Sequence, residues 1–516
     1  MIKIFKLLFI IGFIFTINTY TYSQENAKNI KWSKGIKDYG HGIINLGKTN
    51  KYMLIQINNH KPDIALLSLT NFSPVKQVKA FSPRIKDRVL TYEKSIVFNN
   101  RLIVVAKDSI TQFVLKYNIP DLNLIEATEI GDIVPLENIT NEGQKATLSI
   151  KNTVSPIEFI KTNEGNKLVV LFSNRDMEKK IGYIYLSIDK KNKEKLQKQY
   201  FDIYLDRFEI LQNLISNKGV LYTVYRGLIK DKDYVYFLCD GKVNKVIPFE
   251  LQIKINHLRL VENQDFSISF VGIGQFEGNE FFFEIPYIQG EKSLREIKKI
   301  QLNEQQKSNL IKSQLMGNEF NATIKNSEKT QLFMENYSID GIKQINDELR
   351  LIYGENYDLT LKRNNKYNVI RHEAKELYVC VFNEMGEIVF FNTFIKTQVF
   401  ENLLDRKPSW GSYLFFETDS SYNYIYCGEE MAKEVSSFDS SKPFKPTGKS
   451  NITTQIVVNK DLTINMKKWP SYSKEQVYIS PFISLDYGNG RLIIGSENEY
   501  DKTKQIYKFG KYINKK

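Results

Sequence analysis

SIVFNNRLIVVAK (95–107) and QFVLKYNIPDLNLIEAT (112–128) stand almost back to back in this chain, and their reading decides the fold. Each is an apolar run, a polar tip and a second run. Val, Ile, Leu, Phe and Tyr at this density suit a pleated, half-buried surface. The Asn99–Asn100 and PDLN tips carry residues that turn a chain. Each stretch therefore reads as a β-hairpin, and the two together as a four-stranded antiparallel sheet.

The same unit recurs from end to end. IINLGKTNKYMLIQIN (43–58) opens the series and IALLSLTNFSPVKQVKAF (64–81) completes its first member. FIKTNEGNKLVVLFS (159–173), LISNKGVLYTVYRG (214–227), RLVENQDFSISFVG (259–272) and IKQINDELRLIYGE (342–355) repeat the first hairpin. GYIYLSIDKKNKEKLQKQYF (182–201), YVYFLCDGKVNKVIPFE (234–250) and LYVCVFNEMGEIVFFNTF (377–394) repeat the second. YLFFETDSSYNYIYCG (413–428) and ISLDYGNGRLIIGS (483–496) bring the series to its end.

A sheet of this kind cannot bury both faces alone, so it must stack on its neighbours. The pattern predicts an all-β fold: a ring-closed β-propeller of about eight four-stranded antiparallel blades. Seven blades, or two β-sandwich domains, are the alternatives. The last unit shows only three strands, and residues 29–33 are expected to supply the fourth. Two stretches break the rhythm. LNEQQKSNLIKSQLMGN (302–318) has helix formers with Leu310, Ile311 and Leu315 on one face. SSFDSSKPFKPTGKSN (436–451) reads as a long loop.

The chain opens MIKIFKLLFIIGFIFTINTYTYSQ, with Lys3 and Lys6, an apolar run over 7–17, then Thr21 and Ser23 before Gln24. That is the anatomy of a secretory signal peptide over 1–23. The expected mature chain is one exported propeller domain over 24–516, with insertions near 303–318 and 436–451. It is expected in the periplasm, at the cell surface or outside the cell.

Net charge is +13. The lysines are spread along the chain and interleaved with acids, so a concentrated nucleic-acid footprint is not expected. Three cysteines, Cys239, Cys380 and Cys427, lie in β-type apolar runs and read as buried thiols. Catalytic signatures are absent. RHEAKE (371–376) lacks the second His of a zinc-binding helix motif and reads as an exposed strand edge. GIGQFEG (272–278) has no helix to receive a phosphate and reads as a turn. PTGKS (446–450) has Pro443 where a phosphate loop needs its first Gly. No catalytic residue, metal or cofactor is expected.

KTQVFENLLDRKPSWGSYLFF (396–416), SLDYGNGRLIIGS (484–496) and KQIYKFGKYI (504–513) together resemble uncharacterised exported propeller-like proteins of AT-rich Gram-negative bacteria. The resemblance covers the last quarter to third of the chain. It implies an exported β-rich protein and carries over no functional residue. The expected function is a non-catalytic binding or scaffold protein that uses a propeller face for an envelope protein or polysaccharide. Trp410, Tyr413 and Lys396 are the expected contact residues. The alternative is a glycan- or peptide-acting hydrolase or lyase with carboxylates at the axial funnel.

Overall fold

The structure, a computed structural model, describes residues 36–38, 43–57, 61–133, 157–162, 164–175, 181–201, 208–229, 232–249, 253–291, 293–318, 334–363, 368–402, 413–428, 452–469, 478–488, 491–501 and 504–513. Among these residues the fold is all-β, with eight four-stranded antiparallel sheets. Counted along the chain, the sheets cover 43–78, 91–132, 157–200, 208–249, 254–300, 341–402, 414–469 and 478–513. Strands run in sequence order within each of the first seven. A two-stranded ladder, Arg84–Ile85 with Arg88–Val89, links sheets one and two. The hairpin pairs of the sequence are these sheets. In sheet two, Arg101–Asp108 pairs with both Thr91–Phe98 and Thr111–Asn118.

Sheet eight takes its fourth strand from the start of the chain. Ile36–Asp38 pairs with Lys504–Ile513, Lys37 opposite Ile506. The strand expected at 29–33 lies outside the described residues, and 36–38 takes the edge. An edge position asks only for free backbone groups, so composition is a poor guide to which residues fill it.

Period-two alternation sends each inner strand's side chains to two neighbours. Leu102 and Val104 pack with Leu54 and Leu66 of sheet one. Ile103 and Val105, one step out of phase, pack with Leu168 and Val170 of sheet three. The pattern continues. Leu171 and Tyr183 meet Tyr225 and Cys239. Val224 and Leu238 meet Phe270 and Phe283. Val271 and Phe282 meet Ile352 and Cys380, and Val379 and Val381 meet Tyr424 and Ile456. Ser421–Gly428 of sheet seven lies against Tyr478–Gly488 of sheet eight. Phe509 of sheet eight packs with Met53 and Ile55 of sheet one. Cys239 and Cys380 are buried free thiols, and burial pushes both upward in pKa.

Two expectations are corrected. RHEAKE is no edge: Asn368–Asn383 is an inner strand, and His372 has Leu359 on one side and Phe400 on the other. GIGQFEG is mostly strand, with Gly272 and Gly274 inside Ile268–Phe276. A Cβ at Gly272 would overlap the ring of Phe283, so the glycine makes room for an aromatic neighbour.

Candidate functional site

In each antiparallel unit the first and third turns share one end of the sheet. The second turn and the link to the next sheet share the other. The first end is built of tight turns that reach each other across sheet boundaries. Asn50 N donates to Asn100 Oδ1 (3.0 Å), Glu164 N to Asn217 Oδ1 (3.1 Å) and Asn217 N to Glu262 Oε2 (2.9 Å). Third turns are grasped by the preceding sheet. Lys76 Nζ reaches Asp121 O, and Lys116 Nζ reaches Asn192 O (3.1 Å). Gln199 Nε2 reaches Gly241 O (2.6 Å) and Lys242 Nζ reaches Gln289 Oε1 (2.9 Å). Lys298 Nζ reaches Glu384 O, and Lys511 Nζ of sheet eight reaches Thr70 O of sheet one (3.4 Å). Five of the dispersed lysines therefore act as clasps.

The second end carries the long connections. The helix Glu304–Asn318 leaves sheet five there. Sheet six extends there, with strands Leu349–Arg363, Asn368–Asn383 and Ile388–Asn402 of 15, 16 and 15 residues. Residues 403–412, between sheets six and seven, and 429–451, between the middle strands of sheet seven, depart from the same end; both lie outside the described residues.

At the root of the sheet-six extension the register slips between Glu355 and Tyr357, and again between Ala374 and Glu376. Bulges of this kind bend a strand and re-aim its side chains. Two buried polar groups result. Towards sheet seven, Lys396 is ion-paired with Glu355, with side chains 0% and 2% exposed. The Lys396 ammonium also lies 5.1 Å from the centre of the Tyr413 ring. Tyr413 Oη donates to Asp340 Oδ2 at 2.7 Å. Burial first, then the Asp340 and Glu355 charges, hold that phenol well above its ordinary pKa.

Towards sheet five and the helix, Tyr337 Oη donates to Glu376 Oε1, which also accepts Asn356 Nδ2 at 3.0 Å. Gln314 of the helix reaches Tyr337 Oη at 3.2 Å. Ser313 Oγ and Thr393 Oγ1 lie 2.6 Å apart, so helix and sheet six are hydrogen-bonded directly. One turn earlier, Met334 N donates to Glu280 Oε2, and Asn256 Nδ2 lies 3.3 Å from Glu280 Oε1. Desolvation raises Glu376, and it raises Glu280 to about 7. The segment 334–340 is thus tied to one buried carboxyl on each flanking sheet.

Of the expected contact residues, the structure brings Lys396 and Tyr413 together. Lys396 is buried and paired, and Tyr413 is half-buried; Trp410 lies outside the described residues. Sequence reading missed Glu280, Glu355, Asn356 and Glu376. The available signal was charge at strand-interior positions, as in HEAKELYVCVF (372–382), where a half-buried strand keeps acids outward. Among the described residues no group of three or more His, Cys, Asp and Glu could hold a metal ion, and no helix is long and apolar enough to cross a membrane.

No family model matches the chain, and no curated protein matches it. Among solved structures it is similar to the Dos1 propeller, at 12% identity and a TM-score of 0.31, covering 78% of this chain and 86% of that one. It is similar to the polysaccharide lyase Uly1 at 10% identity and a TM-score of 0.31, covering 84% and 94%. It is similar to dihydro-heme d1 dehydrogenase NirN at 9% identity and a TM-score of 0.29. There 70% of this chain is covered, and the chain spans 59% of the other protein's length. At these scores the likenesses carry no argument about activity.

Proposed function

We propose that the chain is an exported binding protein whose eight sheets close into a propeller ring, with the partner seated on the insertion end of sheets five to seven. Ring closure is supported by the pairing of Ile36–Asp38 with Lys504–Ile513. The Phe509 cluster and the reach of Lys511 to Thr70 add to it. Export rests on the opening 23 residues, and the mature chain would begin near Gln24.

The observation that carries the binding reading is the asymmetry of the two ends. One end is a set of short turns clasped to each other. The other carries the helix and the sheet-six extension, with a buried ion pair, Lys396 with Glu355, and the buried carboxyls Glu280 and Glu376 at their roots. Extra chain placed on a rigid scaffold is where recognition resides. The buried carboxyls there accept from Met334 N, Asn256, Asn356, Tyr337 and Lys396. Those contacts tie segment 334–340 and the sheet-six extension in place.

The test is capture from an envelope extract and binding to a polysaccharide panel, run with a glycan and peptide hydrolysis screen. Trp410→Ala, in the stretch between sheets six and seven, is expected to lose the partner. Lys242→Ala at the clasped end is expected to keep it. Turnover by the wild type that disappears on replacing a carboxylate would overturn the binding reading. Loss of the partner in Lys242→Ala alone would place the contact at the wrong end.

A further inference from the structure

Glu376 and Asn356 share one hydrogen bond and lack another. Asn356 Nδ2 donates to Glu376 Oε1 at 3.0 Å. Glu376 Oε2 and Asn356 Oδ1 are both buried and have no hydrogen-bond partner. The Glu376 residue is 0% exposed and Asn356 6%. A buried acceptor left unpaired carries its full desolvation penalty. Both belong to groups already held side by side, and both are acceptors. A single proton on Oε2 would turn the pair into a closed acid–amide ring, with Oε2–H donating to Oδ1 and Nδ2–H donating to Oε1.

We infer that Glu376 is held as a carboxylic acid whose proton bridges to Asn356, and that this proton latches segment 334–340, and the helix Glu304–Asn318 that packs beside it, onto sheet six. The position of the pair makes it a latch. Tyr337 of the segment donates to Glu376 and is bridged to Asn356 across the backbone. Gln314 of the helix holds the same Tyr337 hydroxyl. Tyr357 N donates to Asn336 O at 3.0 Å and Ser338 N to Glu355 O at 3.0 Å, so the segment is laid along the strand that carries Asn356.

The charged and titratable groups around the pair are Tyr337 from the segment, Lys375 on the same strand and Lys396 on the next strand. The helix contributes neutral Gln314 and Ser313. Along the rest of the segment, Glu280 meets Met334 N, with Glu335 and Lys254 near it. Ile339 N donates to His257 Nδ1 at 3.4 Å, and Arg259 donates to Ile339 O at 3.0 Å. Lys375 and Lys396 favour the ionised form, but desolvation outweighs them. The sign follows: a carboxyl raised above its ordinary 4.5 stabilises the closed segment below 4.5, and that contribution is lost as pH rises through the folded value. The latch is closed in acid and loosens towards alkaline pH.

The inference regulates the insertion end on which the proposed binding function rests, yet its test needs no partner. Hydrogen exchange of the helix and of 334–340 in the full mature chain is followed between about pH 5 and about pH 9 and corrected for intrinsic exchange. In the wild type, opening is expected to rise about tenfold per pH unit above 4.5 until the folded value is reached. Glu376→Gln places an N–H where the acid proton stood, so it should stay protected, and in a Glu280→Gln background, which removes the second titrating carboxyl tied to this segment, it should be flat with pH. Tyr337→Phe should raise exchange in the helix at every pH. The inference falls if wild-type opening is independent of pH, if Glu376→Gln keeps the full wild-type slope, or if His257→Gln removes that slope instead. Thermal melts of each variant separate loss of the latch from loss of the fold: a slope that persists in folded Glu280→Gln and is flat in the folded double variant with Glu376→Gln supports the latch.

Discussion

The two ends of the sheets solve the same problem with different chemistry. At the clasped end, most bridging amides and lysines are exposed or half-exposed, as in Lys242 to Gln289 and Asn50 to Asn100, while Lys116 and Glu262 are buried. Water competes for the exposed contacts, so each of those is weak alone and the set works by repetition. At the insertion end, a few contacts are fully buried, as in Lys396 with Glu355 and Tyr337 with Glu376. There the low dielectric makes each polar group strongly dependent on its partner. The lesson is that a repeated scaffold tolerates loss at its repeated end and concentrates vulnerability where the repeat is broken.

The comparison would be broken first by Lys396→Met. The substitution leaves Glu355 buried without its counter-charge, and the expected loss is about 3–5 kcal/mol in denaturant unfolding. A loss below that of a clasp variant would refute the contrast. A smaller effect, up to roughly 3 kcal/mol, is expected from pH. Glu280 is raised from 4.5 to about 7, so its contribution is complete below 4.5 and disappears as pH rises through about 7. Stability measured across that window should decline, and Glu280→Gln should flatten the decline.

Gly354→Ala sharpens the comparison at the backbone. A Cβ there would overlap the carbonyl oxygen of Ser338, pushing segment 334–340 away from sheet six. Overpacking of this kind costs about 1–3 kcal/mol. Faster hydrogen exchange should be confined to 334–340 and the helix, with sheets one to four unchanged. The smallest effect belongs to Lys242→Ala, an exposed clasp, at about 0.2–1 kcal/mol. A midpoint shift as large as that of Lys396→Met would show that the clasps act cooperatively rather than one by one.

Much of this was legible in the residues. SIVFNNRLIVVAK (95–107) announces two strands and a turn because alternating burial and turn chemistry are both local. The helix over 304–318 was legible for the same reason: Ile311 and Leu315 stand four apart beside Leu310, and Leu310 and Ile311 pack in the core between sheets five and six. Lys396 and Tyr413 could be singled out as a stretch, but their burial could not. Lys396 is satisfied by Glu355, 41 positions earlier in the chain. RHEAKE looked like an edge because its charges seemed to demand solvent; the bulges of sheet six and the strands on either side supply the partners instead.

The sequence by itself determined the repeated unit, a series of about eight hairpin pairs and the helical interruption at 304–318. Those properties follow from periodicity and turn residues within a few positions of each other. Tertiary structure alone decided which strand completes sheet eight and which lysines clasp a neighbouring turn. It also decided which carboxyls are buried: Glu280, Glu355 and Glu376 become unusual only when segments far apart in the chain remove water from around them. A charge is costly or harmless according to its surroundings, and surroundings assembled across sheet boundaries are not written at any single position.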